Sequence, residues 1–267
     1  MYLLAAYLAV FLTLWLILYF IGPLLERLLA RSAHFTTKFR HHDYLPVFVV
    51  VAVGIGLTIS AGDAFLDIAE ELHHDSPKLH RIDRDVHDWA IDIRTPLATK
   101  FLTALTILGT PVGLGVLVLI AAALLIMKKR WRWAAYLGIT CGIGGLLNLQ
   151  LKAFFARARP DVAQALRAAH GYSFPSGHAM GSTIVLGAFA YLAFRLLTKW
   201  PARSAAIAFC VTTILAICVS RIYLGVHWIS DIGAGIAAGL IWLVFATVGY
   251  ETTRRIRLVR SLRAKRK

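Results

Sequence analysis

Long apolar runs alternate with short polar segments along this chain, and that alternation sets its elements. A helix needs roughly 17 to 25 apolar residues to cross the hydrocarbon core of a bilayer. Runs of that kind predict spans at Tyr2–Ile21, Tyr44–Ala61, Thr110–Met127, Trp133–Leu151, Gly177–Phe194, Ser204–Ser220 and Ile232–Tyr250. The first has no basic start, is too long for a signal-peptide core and runs into Gly22-Pro23 rather than a small-residue cleavage site, so it is read as a retained helix. Another apolar run begins at Phe101, but Gly109-Thr110-Pro111 interrupts it. Pro96–Leu108 is therefore expected as a shorter interfacial or re-entrant helix, with Pro111 opening the true span.

Composition agrees with this pattern and narrows the class. Of 267 residues, 58% are hydrophobic and only 16% charged, with a mean hydropathy of +0.68. A soluble domain is nearer half apolar and a quarter charged, and one globule of this size could not hide the excess. The fold class is all-α: a polytopic transmembrane helix bundle of about seven spans. A soluble enzyme, a disordered chain and a disulfide scaffold are excluded. Cys141, Cys210 and Cys218 fall in apolar stretches with no C-x-x-C pair and are expected as packing residues. Small residues spaced by four, Gly138/Gly142 and Gly235/Gly239, are expected to allow close helix packing.

A net charge of +15 raises nucleic acid as a partner, so the placement of the charges matters. Eight of the 29 Lys and Arg lie between Arg254 and Lys267, four are Lys128, Lys129, Arg130 and Arg132, and four more are Arg27, Arg31, Lys38 and Arg40. Short basic clusters at the ends of apolar runs are anchors against anionic membrane lipid, not a nucleic-acid face. With seven spans and a cytoplasmic C-terminus, 19 basic residues fall inside and 10 outside, which favours an N-out, C-in orientation. Nine of the 14 acidic residues lie between Asp63 and Asp92, beside His73, His74, His80 and His87. No metal-ligand spacing stands out there, and the stretch is expected as a solvated amphipathic segment lying on the membrane. The organisation is then two N-terminal transmembrane helices (1–61), an outer acidic, His-rich loop (62–95), a core (96–250) and a basic cytoplasmic tail (251–267).

Ionisable residues at span ends are the candidates for chemistry in a membrane protein, and three clusters share the outer side. Lys152-Ala-Phe-Phe-Ala-Arg-Ala-Arg159-Pro160 leaves the fourth span. Positions seven apart lie on nearly one helix face, so Lys152 and Arg159 are expected to point the same way, with Pro160 helping to end the helix. Two such cations suit a doubly charged phosphate, although snorkelling anchors would look alike. Pro175-Ser176-Gly177-His178 opens the fifth span. Free amides at a helix N-terminus bind anions, Gly177 lets a ligand approach the backbone, and Ser176 adds a hydroxyl; a plain N-cap and an interfacial histidine is the structural alternative. Ser220-Arg221 and, further on, His227 and Asp231 lie between the last two spans. Four residues apart, the His227–Asp231 pair has the arrangement of a nucleophile oriented by a carboxylate. A structural hydrogen bond is the alternative reading of the pair; one histidine and one carboxylate make a poor metal site.

Together, in this order, the motifs K-x6-R-P, P-S-G-H and S-R-x5-H-x3-D resemble the type 2 phosphatidic acid phosphatase superfamily, which includes vanadium haloperoxidases and glucose-6-phosphatase. The likeness runs over roughly residues 96–250. It implies metal-independent, cofactor-free hydrolysis of a phosphate ester. His227 would be the nucleophile, Asp231 its orienting carboxylate and His178 the general acid and base. Lys152, Arg159, Ser176, Gly177 and Arg221 would hold the phosphate oxygens. The implied partner is a lipid phosphate or diphosphate in the membrane: undecaprenyl diphosphate, phosphatidylglycerophosphate, phosphatidic acid or a lipid A phosphate, in a bacterial inner membrane with the site facing outward. A lipid-to-lipid phosphotransferase would share the chemistry, and a headgroup-binding or transport protein would share only the cradle.

Overall fold

Proline, glycine and threonine punctuate the chain into its helices. The computed structural model describes residues 2–35, 45–160, 165–166 and 171–264, and among them every regular element is helical. The helices are α1 (Tyr2–Phe35), α2 (Leu45–His73), α3 (Pro77–Asp92), α4 (Pro96–Leu108), α5 (Pro111–Met127), α6 (Trp131–Phe155), α7 (Gly177–Leu196), α8 (Trp200–Tyr223) and α9 (Ile229–Ala264). Tyr44, Lys38, Arg40, Arg167 and residues 265–267, all used in the sequence argument, lie outside the described residues. Among the described residues, six helices are long and apolar enough to cross a membrane, and a seventh span results if α4 and α5 are taken together.

The break between α4 and α5 falls where the sequence marks it. Thr95 caps α4, its hydroxyl accepting from the Ala98 amide at 3.3 Å, and Thr110 caps α5 by accepting from the Gly113 amide at 3.0 Å. Both helices start on a proline, which lacks the amide that a first turn would leave unpaired. The two axes differ by 51°. Other helices outrun their apolar cores: α1 continues through Pro23, α2 extends to His73, and α9 carries on into the basic tail. Apolar length sets the span, while helix propensity sets how far the helix extends into water.

α7, α8 and α9 form the centre, with α2 along α9 and α1 along α8. Tyr7 of α1 hydrogen-bonds the Thr213 hydroxyl at 3.0 Å, and the Trp200 indole donates to the Tyr19 carbonyl at 3.1 Å. Gly235 and Gly239 do let helices close: a Cβ on Gly235 would lie 2.8 Å from the Ser176 carbonyl, and one on Gly239 2.9 Å from Thr183 Cβ. Gly138 and Gly142 differ from expectation, since no atom of another helix lies within 4 Å of a Cβ placed on either. They line a cleft of about 660 Å³ between α5, α6 and α7 instead. The acidic stretch also departs from a segment lying wholly on the surface. α3 is amphipathic, but Asp83, His87 and Ala90, at positions i, i+4 and i+7, are buried against the bundle.

Candidate active site

All three motifs meet at one end of the bundle, by routes the spacing alone did not give. α6 stops at Phe155 because Ala156 adopts a left-handed conformation (φ 46°), its amide bonding back to the Lys152 carbonyl. Lys152 is thus in the last turn of the helix and Arg159 beyond it, so the expected single helix face does not exist. The two cations converge across the following loop. Lys152 Nζ donates to the carbonyls of Tyr172 (2.8 Å) and Ser173 (3.2 Å), and Arg159 donates to those of Gly171 (3.0 Å), Tyr172 (3.2 Å) and Val226 (2.8 Å). Pro160 does not end the helix, which has already stopped five residues earlier.

Ser176 is the N-cap of α7, its hydroxyl accepting from the Ala179 amide at 3.5 Å while its own amide donates to the Asp231 carbonyl at 3.0 Å. Gly177 follows because space is short: a Cβ there would sit 3.0 Å from Asn148 Oδ1 and 3.5 Å from Lys152 Cε. His178 occupies the first turn, against the α4–α5 corner, where a Cβ on Gly109 would stand 3.0 Å from the imidazole Cδ2. Arg221, buried near the end of α8, donates to the Thr106 hydroxyl of α4 at 3.0 Å.

His227 precedes α9 and Asp231 lies in its first turn, and they meet at 3.2 Å between Nδ1 and Oδ2. Asp231 is fully buried and fully satisfied. Oδ2 also accepts from the Trp228 amide at 3.0 Å and from the Ser173 hydroxyl, and Oδ1 accepts from Arg157 Nη1 at 2.7 Å. The reach back to the Trp228 amide is half of a capping box, so the residue that orients the imidazole also starts the helix. On the other side, Arg159 Nη1 lies 3.1 Å from His227 Nε2. A guanidinium only donates, so Nε2 presents its lone pair and the proton is assigned to Nδ1, facing Asp231. Burial lowers the His227 pKa to about 4, with Arg159 and Arg221 adding to the shift and Asp231 opposing it. Burial lowers that of Arg159 too, again opposed by Asp231.

The sequence reading missed Ser173, Arg157 and Asp83. Arg157 lies inside the first motif but was passed over for its neighbour Arg159. It bridges Asp231 Oδ1 (2.7 Å) and Asp83 Oδ2 (2.6 Å), and also donates to the Ser230 hydroxyl (2.7 Å). Asp83 is 147 positions from Ser230, a separation that no local pattern reveals.

The cleft between α5, α6 and α7 ends at this site. Asn148 and Gly177 form its wall beside Lys152, and Leu114, Val118, Gly145 and Val185 line its apolar length. A larger cavity of about 710 Å³ at the α2–α3 corner touches none of the motif residues.

Residues 133–255 match the PAP2 superfamily. Phosphatidylglycerophosphatase B of Bacillus subtilis (strain 168) is 31% identical over 190 residues, which cover 70% of this chain and 91% of that protein. The crystal structure of a transmembrane PAP2-type phosphatidylglycerolphosphate phosphatase from Bacillus subtilis is similar with a TM-score of 0.65 at 28% identity, over 73% of this chain and 96% of that one. LpxE of Aquifex aeolicus shares the fold, with a TM-score of 0.50 at 22% identity over 62% of this chain and 94% of its own. With those matches added to the motifs and the helical bundle, the chain belongs to the PAP2 superfamily and is an integral membrane phosphoric ester hydrolase of the lipid phosphatase type.

Proposed function

We propose that the protein removes the terminal phosphate of a membrane lipid phosphate, of the phosphatidylglycerophosphate kind, by way of a phosphohistidine on His227. The observation that carries this reading is the lone pair of His227 Nε2, facing the Arg159 guanidinium at 3.1 Å, at the end of an apolar cleft. A lipid tail in that cleft leaves its headgroup among Lys152, Arg159, Arg221, Ser176 and the amides of the first turn of α7. Those donors lie where negative charge spreads over the equatorial oxygens in phosphoryl transfer. The name of the Bacillus relative supports the choice of substrate.

The steps follow from donor and acceptor roles. Phosphate displaces the Arg159 contact from Nε2, and the nitrogen attacks phosphorus as the ester P–O bond breaks. His178 gives its proton to the departing lipid oxygen, work typically worth ~10²–10⁴ in rate. The imidazole gains positive charge, which Asp231 stabilises through Nδ1–H. Water then attacks the phosphohistidine, His178 takes its proton, and inorganic phosphate leaves with His227 restored. The fixed cations do the charge stabilisation here, and no step calls for a metal. The basic ends of the spans favour a site on the outer face of the membrane, with the C-terminal tail on the inner side.

The test is phosphate release by detergent-purified protein from a panel of lipid monophosphates and diphosphates, with EDTA throughout, beside His227→Ala. Release that survives EDTA and is lost in the variant supports the reading, and the ranking of the panel names the substrate. Turnover by His227→Ala contradicts it. Release that requires a second lipid as acceptor makes the protein a phosphotransferase instead.

A further inference from the structure

We infer that Asp83, on the amphipathic helix α3, is a positioning residue for phosphoryl transfer, acting on Asp231 through Arg157. The inference rests on the reading of His227 and Asp231 given above. It assigns a role to the acidic segment that the motifs leave unexplained.

Asp83 differs from the other acidic residues of its helix. Asp85, Asp88 and Asp92 are exposed, whereas Asp83 is 2% exposed and faces the start of α9. It accepts three hydrogen bonds: from the Ser230 amide at 3.1 Å, the Ser230 hydroxyl at 2.7 Å and Arg157 Nη2 at 2.6 Å. The amides of a first helical turn have no partner within their helix. Asp83 supplies one for Ser230, from another element, and so holds the residue next to Asp231 in place. His87, one turn further along α3, packs its ring 5.4 Å from that of Trp228, and the Arg157 guanidinium lies 5.8 Å over the same indole. α3 therefore grips both the helix start and the arginine that touches Asp231.

The charges point the same way. Arg157, its side chain 8% exposed, sits between two buried carboxylates. A buried guanidinium with a single carboxylate would concentrate its field on Asp231 and oppose the positive charge that His227 acquires. The second carboxylate shares that field and leaves more of Asp231's charge for the imidazole. A buried charge whose partner is removed is costly, unlike a surface pair. None of the residues lining the tail cleft comes from α3, which argues against α3 as a gate for lipid.

The experiment compares Asp83→Asn and Asp83→Glu with the wild type on a long-chain lipid phosphate and on a water-soluble short-chain phosphate ester, with melting temperature recorded. Asp83→Asn is expected to lower kcat ~10-fold or more on both substrates, equivalent to about 1.4 kcal/mol of transition-state stabilisation per decade. KM should stay within about twofold on both, since the groups that hold phosphate are untouched. Asp83→Glu should recover much of the rate, and Asp83→Asn should cost little more once Arg157→Gln is present, as expected for residues acting through one another. Unchanged kcat, a change confined to KM for the long-chain substrate, or full additivity with Arg157→Gln would each overturn the inference. If Asp83→Asn does not fold, Arg157→Lys, which keeps the charge but loses the fork between the two carboxylates, should show the same kcat loss on both substrates; full activity there overturns the inference as well. Loss of activity in His227→Ala alongside an active wild type separates this outcome from a failure of the proposed reaction.

Discussion

Asp231→Asn keeps the shape of the site and removes its orienting charge. The carboxylate accepts from four groups: His227 Nδ1 and the Trp228 amide and Ser173 hydroxyl on one oxygen, and Arg157 on the other. An amide in its place must turn its NH₂ towards either Arg157 or the other three. Turned towards His227, it donates to Nδ1 and moves the ring proton to Nε2, which then faces the Arg159 donor 3.1 Å away and has no lone pair for phosphorus. Turned the other way, it sets its NH₂ against the Arg157 Nη1 donor and leaves that guanidinium only Asp83 and the Ser230 hydroxyl to donate to. Either way the cation forming on His227 loses a negative charge 3.2 Å distant, worth about 5 kcal/mol at an effective dielectric of ~20. That corresponds to a loss of about 10³–10⁴ in kcat. The assay is initial-rate phosphate release in detergent with EDTA, with orthovanadate affinity measured beside it to count folded sites. Vanadate should still bind, because the cradle of Lys152, Arg159 and Arg221 remains. A variant retaining kcat within about tenfold of the wild type would refute the argument, since the computed loss is several times larger in free energy than that.

Three further outcomes follow from the geometry. Because the His227 pKa is lowered to about 4, the nucleophile stays neutral as pH falls below the ordinary histidine range, and the acid limb of kcat/KM that belongs to it should lie near pH 4, not near 6.5. The same shift makes the fold lose stability on acidification: the contribution is complete above the unfolded pKa of about 6.5 and is lost as pH falls towards 4, which a melting-temperature series would record. Arg159→Ala should weaken orthovanadate inhibition as well as lower kcat, and unchanged inhibition would remove Arg159 from the phosphate cradle. Gly142→Leu should leave the melting temperature nearly unchanged, since a Cβ there meets no atom of another helix within 4 Å. It should still lower kcat/KM for a long-chain lipid phosphate ~10-fold through lost tail contacts of ~0.1–0.2 kcal/mol per atom pair, and spare a soluble short-chain ester.

Much of the fold could be read from the sequence because apolar length is a strong signal. Pro96 and Pro111 marked two helix starts, and the threonine before each caps its helix. The motif residues were legible for a different reason: phosphate chemistry needs cations, a helix N-terminus and an oriented histidine, and each has a short local spacing. What spacing could not give was the path between them. The left-handed turn at Ala156 stops α6 before Arg159, so a periodicity argument placed two cations on a helix face that ends too early. Gly138 and Gly142 had the spacing of a packing stripe but face an open cleft, because small residues permit either close contact or a cavity and the sequence does not say which. Arg157 and Asp83 stayed hidden since their meaning lies in a contact between distant elements. The small, buried Ala90 completing the i, i+4, i+7 face with Asp83 and His87 is the signal that could have shown an inward face on α3.

The phosphohistidine is the centre of the account, and rapid-quench trapping with a lipid substrate radiolabelled in its terminal phosphate tests it most directly. The account predicts a labelled enzyme that is labile in acid and stable in base, with the label mapped to the peptide holding His227, and none in His227→Ala. It also predicts that His178→Ala, which slows attack by water, leaves any label that forms on His227 longer lived. Full turnover with no labelled intermediate, or label on a residue other than His227, would contradict the account.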